Sequence, residues 1–197
     1  MRQGGRRSAF TLVEVIVALA VILILAAVAV PQLGGYLDQK RVEETAALLA
    51  QLRDALFGPT TSFRTEVGAN ASRLSHLSTP IVNGDDDSCG GNYSNAERAD
   101  WPDGGPYINW VIDPAAGLRT PIGQAQDLLE RVPVNGGGST GRLRIRFPNT
   151  VTLIDAQALD VYVDGVLNGT SGVVHWAQQP GTDMANVYYD VLIDGTC

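Results

Sequence analysis

Apolar and polar positions divide this chain into three stretches, each with its own period. From Phe10 to Val30 every side chain is apolar except Thr11 and Glu14. As a helix that run would be roughly 31 Å long, close to the hydrocarbon thickness of a bilayer. Residues 10–30 are therefore expected to span a membrane. Polar residues begin at Gln32, yet a helical period continues. Leu33, Leu37, Val42, Ala46, Leu49, Leu52 and Leu56 recur at steps of three to five, with Asp38, Lys40, Arg41, Glu43 and Glu44 between them. Residues 31–57 thus read as the amphipathic half of one long helix, stopped by Gly58-Pro59. Pro31 removes a backbone hydrogen bond and, with Gly34-Gly35 beside it, predicts a kink or local melting.

The pattern changes again after residue 58. Residues 60–117 are rich in Ser, Asn, Asp, Gly and Pro, which is loop chemistry, with a short helix expected around Ala71 to Leu77. Thr120-Pro121 predicts a capped helix through Leu128, Leu129 and Arg131. Asn135 to Gly138 reads as a flexible connection. From Arg142 the period becomes two: Leu143, Ile145 and Phe147 face one way, and Arg142, Arg144 and Arg146 the other. Further strands are expected at 151–154, 159–163, 173–177 and 186–193, with Asp164-Gly165 and Asn168-Gly169 as hairpin turns. The expected fold is α+β. A long N-terminal helix, membrane-spanning in its first half, packs by its second half on a C-terminal antiparallel β-sheet within a globular domain over residues 58–197.

Charge adds an orientation. The net charge of −7 includes Arg2, Arg6 and Arg7, so without residues 1–9 there remain 11 basic and 21 acidic side chains, or −10. So acidic a domain repels phosphate backbones, and no nucleic-acid partner is expected. Three arginines before the apolar run, with no equivalent cluster after it, place the N-terminus in the cytoplasm and residues 58–197 outside it.

Chemistry is sparse. His76 and His175 are the two histidines, no GxSxG, HExxH or P-loop occurs, and no catalytic residue is assigned: the chain does not read as an enzyme. Cys89 and Cys197 lack CxxC spacing. They are either one extracytoplasmic bridge, worth at most about 4.7 kcal/mol for a loop of ~100 residues, or two unrelated thiols. Asp85, Asp86 and Asp87, with Asn83, Asn92 and Asp103 near in sequence, have the oxygen chemistry of a calcium site without EF-hand spacing, or form a solvated face.

Residues 1–14 read MRQGGRRSAFTLVE: a basic leader, a small residue, Phe, then an apolar helix with an acid at its fifth position. In these features, and again at Pro31, the chain resembles the type IV pilin and type II secretion pseudopilin superfamily. The resemblance covers Arg6 to about Phe57. It implies a structural subunit of a pilus or pseudopilus. A prepilin peptidase would remove the leader (residues 1–9) by cutting between Ala9 and Phe10, then methylate the Phe10 amine. Most members carry glycine where this chain has Ala9. Gly5 is no substitute, because a cut there would leave Arg6 and Arg7 heading the membrane helix.

The resemblance also gives Glu14 a role, pairing with the Phe10 amine of a preceding subunit. An intramembrane acid calls for a cationic partner, and a buried pair fixes register more than it adds stability. An interfacial acid, or a pair within one chain, are the other readings. The implied partners are copies of the chain in a filament, other pilin-like subunits, the peptidase, an inner-membrane assembly platform and membrane lipid. Further implications are a Cys89–Cys197 bridge tying down the C-terminus and an unfolding helix near Pro31. Residues 101–108 resemble the loop between helix and sheet in major pseudopilins; a turn packing on the core is the plainer reading. The alternative function is a signal-anchored periplasmic binding domain that never polymerises.

Overall fold

The computed structural model describes residues 11–133 and 141–192, with residues 28–33, 102–104, 133 and 192 described in backbone alone. The expectations for Ala9, Phe10, Pro31, Cys197 and residues 135–138 lie outside the described residues or side chains. Helix α1 spans Leu12–Phe57. The chain divides into two compact units, Met1–Gln39 and Lys40–Cys197, so the second half of α1 shares a unit with the sheet.

In that second half the sequence period becomes a buried face. Val42, Ala46, Leu49, Leu52, Ala55 and Leu56 are buried, Leu49 and Leu52 completely, each large side chain contributing roughly 1.5–3 kcal/mol. They share one core with Leu143, Ile145, Phe147, Val187, Tyr189 and Val191 of the sheet. The stop works as expected: the Gly58 N–H donates to the Asp54 carbonyl at 2.6 Å. A Cβ at residue 58 would lie 2.5 Å from that same oxygen.

Four antiparallel strands form the main sheet in the order β3-β4-β6-β5: β3 Glu130–Pro133, β4 Gly141–Thr152, β5 Val174–Gln178 and β6 Met184–Leu192. The alternation of β4 is as predicted, with Leu143, Ile145 and Phe147 at zero exposure and the arginines on the other face. The register shifts between Phe147 and Val151, where Asn149 takes φ of 49°. This is a bulge at a residue type that tolerates the left-handed region. A small hairpin, β1 Leu118–Arg119 with β2 Gln124–Ala125, stands beside it.

Several expectations fail. The helix from Thr120 through Arg131 is absent; that segment supplies β2 and β3. Residues 159–163 form part of helix α4, Leu153–Asp164, and only 151–152 of the segment 151–154 are strand. The Thr152 hydroxyl caps its start, accepting from the Asp155 N–H at 3.2 Å. Gly165, in the left-handed region at φ 76°, ends it. Asp164-Gly165 is therefore a helix end and not a hairpin turn. Asn168-Gly169 lies in the loop before β5.

The loop-rich stretch also contains two further helices, α2 Phe63–Val67 and α3 Asn95–Gly104, each opened by a reciprocal capping box, Ser62 with Thr65 and Ser94 with Glu97. The helix expected near 71–77 is a 3-10 turn at Leu74–Leu77.

Candidate assembly site

The first half of α1 behaves unlike every other element. Thr11 starts it: its carbonyl and hydroxyl accept from the Glu14 N–H at 3.1 and 3.3 Å. From residue 11 to residue 27 every side chain is exposed. Eleven of them are large and apolar, from Leu12 at 75% exposure through Leu23 at 69% to Leu25 at 63%. At about 2 kcal/mol each, covering them would be worth roughly 20 kcal/mol. A helix that is apolar all round belongs in a low-dielectric surrounding. Glu14 is the one ionisable group in this stretch, exposed in the first turn, where its carboxylate complements the helix dipole. Among the described residues no helix is long and apolar enough to cross a membrane. The described side chains of this stretch end at residue 27, short of the expected span of 10–30.

Residues 5–30 match the prokaryotic N-terminal methylation motif. The chain carries a prepilin-type signal. This signal marks a precursor of type IV pilin or pseudopilin type, implying membrane anchoring, peptidase processing and assembly with other pilin-like subunits in general terms. It is a structural signal and does not define an enzyme family. No curated protein and no solved structure matches the chain.

Beyond the prepilin-type signal, the three consecutive aspartates face separate tasks. Asp85 Oδ2 accepts from the Val82 N–H at 2.8 Å and lies 3.5 Å from His76 Nε2. Asp86 Oδ1 accepts from Asn92 Nδ2 at 3.3 Å. Asp87 Oδ1 accepts from the Cys89 and Gly91 N–H groups at 2.8 and 2.9 Å. Among the described residues no group of three His, Cys, Asp or Glu side chains is placed to hold a metal ion.

His76 is a core histidine. It is 3% exposed, stacks on Phe63, and has its Nδ1 3.4 Å from the Tyr93 hydroxyl. Burial lowers its pKa below 6.5, with the nearby Asp85 carboxylate opposing the shift. Burial likewise raises Tyr93. The 101–108 segment packs on this cluster: Trp101 Nε1 donates to the His76 carbonyl at 2.7 Å, and the Tyr107 N–H donates to the Leu77 carbonyl at 2.9 Å. Gly105 is required there, since a Cβ would sit 2.9 Å from the Trp101 ring.

His175 lies on the outer face of the sheet, its Nε2 3.0 Å from Asp190 Oδ2, a distance without hydrogen-bond alignment. Burial pushes the Asp190 carboxyl up, but bonds from Arg144 and Arg142 and the nearby His175 hold it below the usual range. These pairings across strands need the register of the sheet, which sequence alone did not supply.

Proposed function

We propose that this chain is the precursor of a filament subunit, of a type IV pilus or a type II secretion pseudopilus. The supporting observation is the coincidence of the methylation motif at residues 5–30 with a helix whose side chains are exposed throughout 11–27. In this reading a membrane prepilin peptidase cuts between Ala9 and Phe10 and methylates the new amine. The mature chain stays in the inner membrane with its N-terminus cytoplasmic and its 58–197 domain outside. The assembly platform then transfers it, apolar helix first, from lipid into a filament core.

Glu14 supplies register in that transfer. Its carboxylate is exposed and lies one helical turn past Phe10, in reach of an incoming subunit's amine. Pro31 loosens the helix where it leaves the bilayer. Cys89 is one of two cysteines and no free thiol occurs among the described residues; we assign its partner as Cys197, tying the C-terminus to the domain.

Mass spectrometry of the protein from cells with an active prepilin peptidase tests the reading. An N-terminal methyl-Phe10 is expected; an intact Met1 terminus would overturn it.

A further inference from the structure

A groove of about 530 Å³ opens between the end of the second half of α1 and the segment after α3. Six residues define its chemistry: Gln51, Asp54, Thr61, Tyr107, Asn109 and Trp110. Gln51, Asp54, Thr61 and Asn109 are exposed, and among the described residues none hydrogen-bonds another protein group through its side chain. The two aromatic residues carry the sharper signal. Tyr107 Oη and Trp110 Nε1 are shielded from solvent yet have no hydrogen-bond partner.

Elsewhere the chain satisfies such groups. Trp101 Nε1 donates to a carbonyl, Trp176 Nε1 donates to Asp160 at 3.0 Å, and the Tyr93 hydroxyl donates to the Asn70 carbonyl at 3.0 Å. Buried Tyr and Trp tips normally find a partner. Two unpartnered tips in one groove, among four uncommitted polar side chains, make a set of donors and acceptors awaiting a ligand.

We propose that this groove binds a neutral saccharide. Sugar hydroxyls both donate and accept, matching a mixture of amide, carboxylate, hydroxyl and indole N–H. The C–H faces of a pyranose suit aromatic rings. No lysine or arginine lines the groove, and Asp54 repels anions, which excludes phosphate, sulfate and uronate ligands. Burial, with Glu66 and Asp100 near, pushes the Tyr107 phenol up to about 12, so it remains a donor at neutral pH. This proposal does not depend on filament assembly.

The test uses the full chain in a zwitterionic detergent without a sugar headgroup, titrated with cellohexaose, maltohexaose, chitohexaose and mannohexaose by tryptophan fluorescence and calorimetry. At least one should bind. Asp54→Ala, Asn109→Ala and Tyr107→Phe should each weaken it about fivefold or more, the cost of one lost hydrogen bond. Asn109 is exposed, and Tyr107→Phe deletes a hydroxyl bonded to nothing, so both variants should melt as wild type does. Three results would overturn the proposal: no binding across the panel, affinity unchanged in all three variants, or an oligogalacturonate binding as tightly as the neutral sugars.

Discussion

Residues 12–27 and 42–56 belong to one helix but are built for two different surroundings. In the second stretch apolar residues occupy one face, and that face is buried in the chain's own core: Leu49 and Leu52 have no exposure at all. In the first stretch there is no polar face. Leu12, Leu19 and Leu23 are each more than half exposed. One stretch is folded by its own chain; the other waits for lipid or neighbouring subunits. The contrast shows why a single average hydrophobicity describes this helix badly, and why its two halves should respond to mutation independently.

The largest expected effect breaks the comparison on the folded side. Leu49→Ala should destabilise the domain by about 2–5 kcal/mol, because a fully buried leucine leaves a cavity. Urea unfolding followed by circular dichroism would measure it, and the membrane-bound fraction should not change. The converse variant is Leu23→Lys. A lysine in the middle of the apolar run costs about 2.5–3.5 kcal/mol of membrane insertion. Membrane recovery should fall while urea unfolding of the domain stays at wild type. Equal effects of either variant on both readouts would join the two regions into one unit.

A smaller effect sharpens the folded side alone. His76 holds its proton less readily in the folded chain than the ordinary value of 6.5. Below pH 6.5 the unfolded state therefore binds more protons than the folded one. Its contribution is fully present above pH 6.5 and is lost as pH falls toward the lowered folded value. The unfolding midpoint should drop over that window in wild type, and the slope should flatten in His76→Gln. A midpoint equally steep in the variant would assign the pH dependence to carboxylates instead.

How much of this could be read from the sequence follows from where the information lies. The end of α1 at Gly58 and the alternation of Leu143, Ile145 and Phe147 are local patterns, and both hold. Helix α4 was misread as strand because Leu159, Val161 and Val163 alternate. The deciding residues were its caps, Thr152 and Gly165, at either end of the segment. The capping box of α3, Ser94 with Glu97, was legible but submerged in a polar, glycine-rich stretch. The prepilin-type signal needed no tertiary structure, since its spacing is its content. The groove was the opposite case. Asp54 and Trp110 are brought together by the fold alone, and no periodicity links them.

The account's central claim is that the exposed apolar half of α1 is an assembly surface whose register Glu14 sets. Comparing filament yield in sheared fractions with membrane-bound monomer for Glu14→Ala tests this most directly. Without the acid the helix is more lipid-soluble, so cleavage, insertion and domain folding should persist. Docking should fail, because the arriving amine of Phe10 would be buried without a partner. The account predicts a steep fall in filaments with membrane monomer undiminished, and partial recovery in Glu14→Asp. Filament yield and membrane monomer both at wild-type levels would contradict it, leaving Glu14 as an acid at the membrane surface.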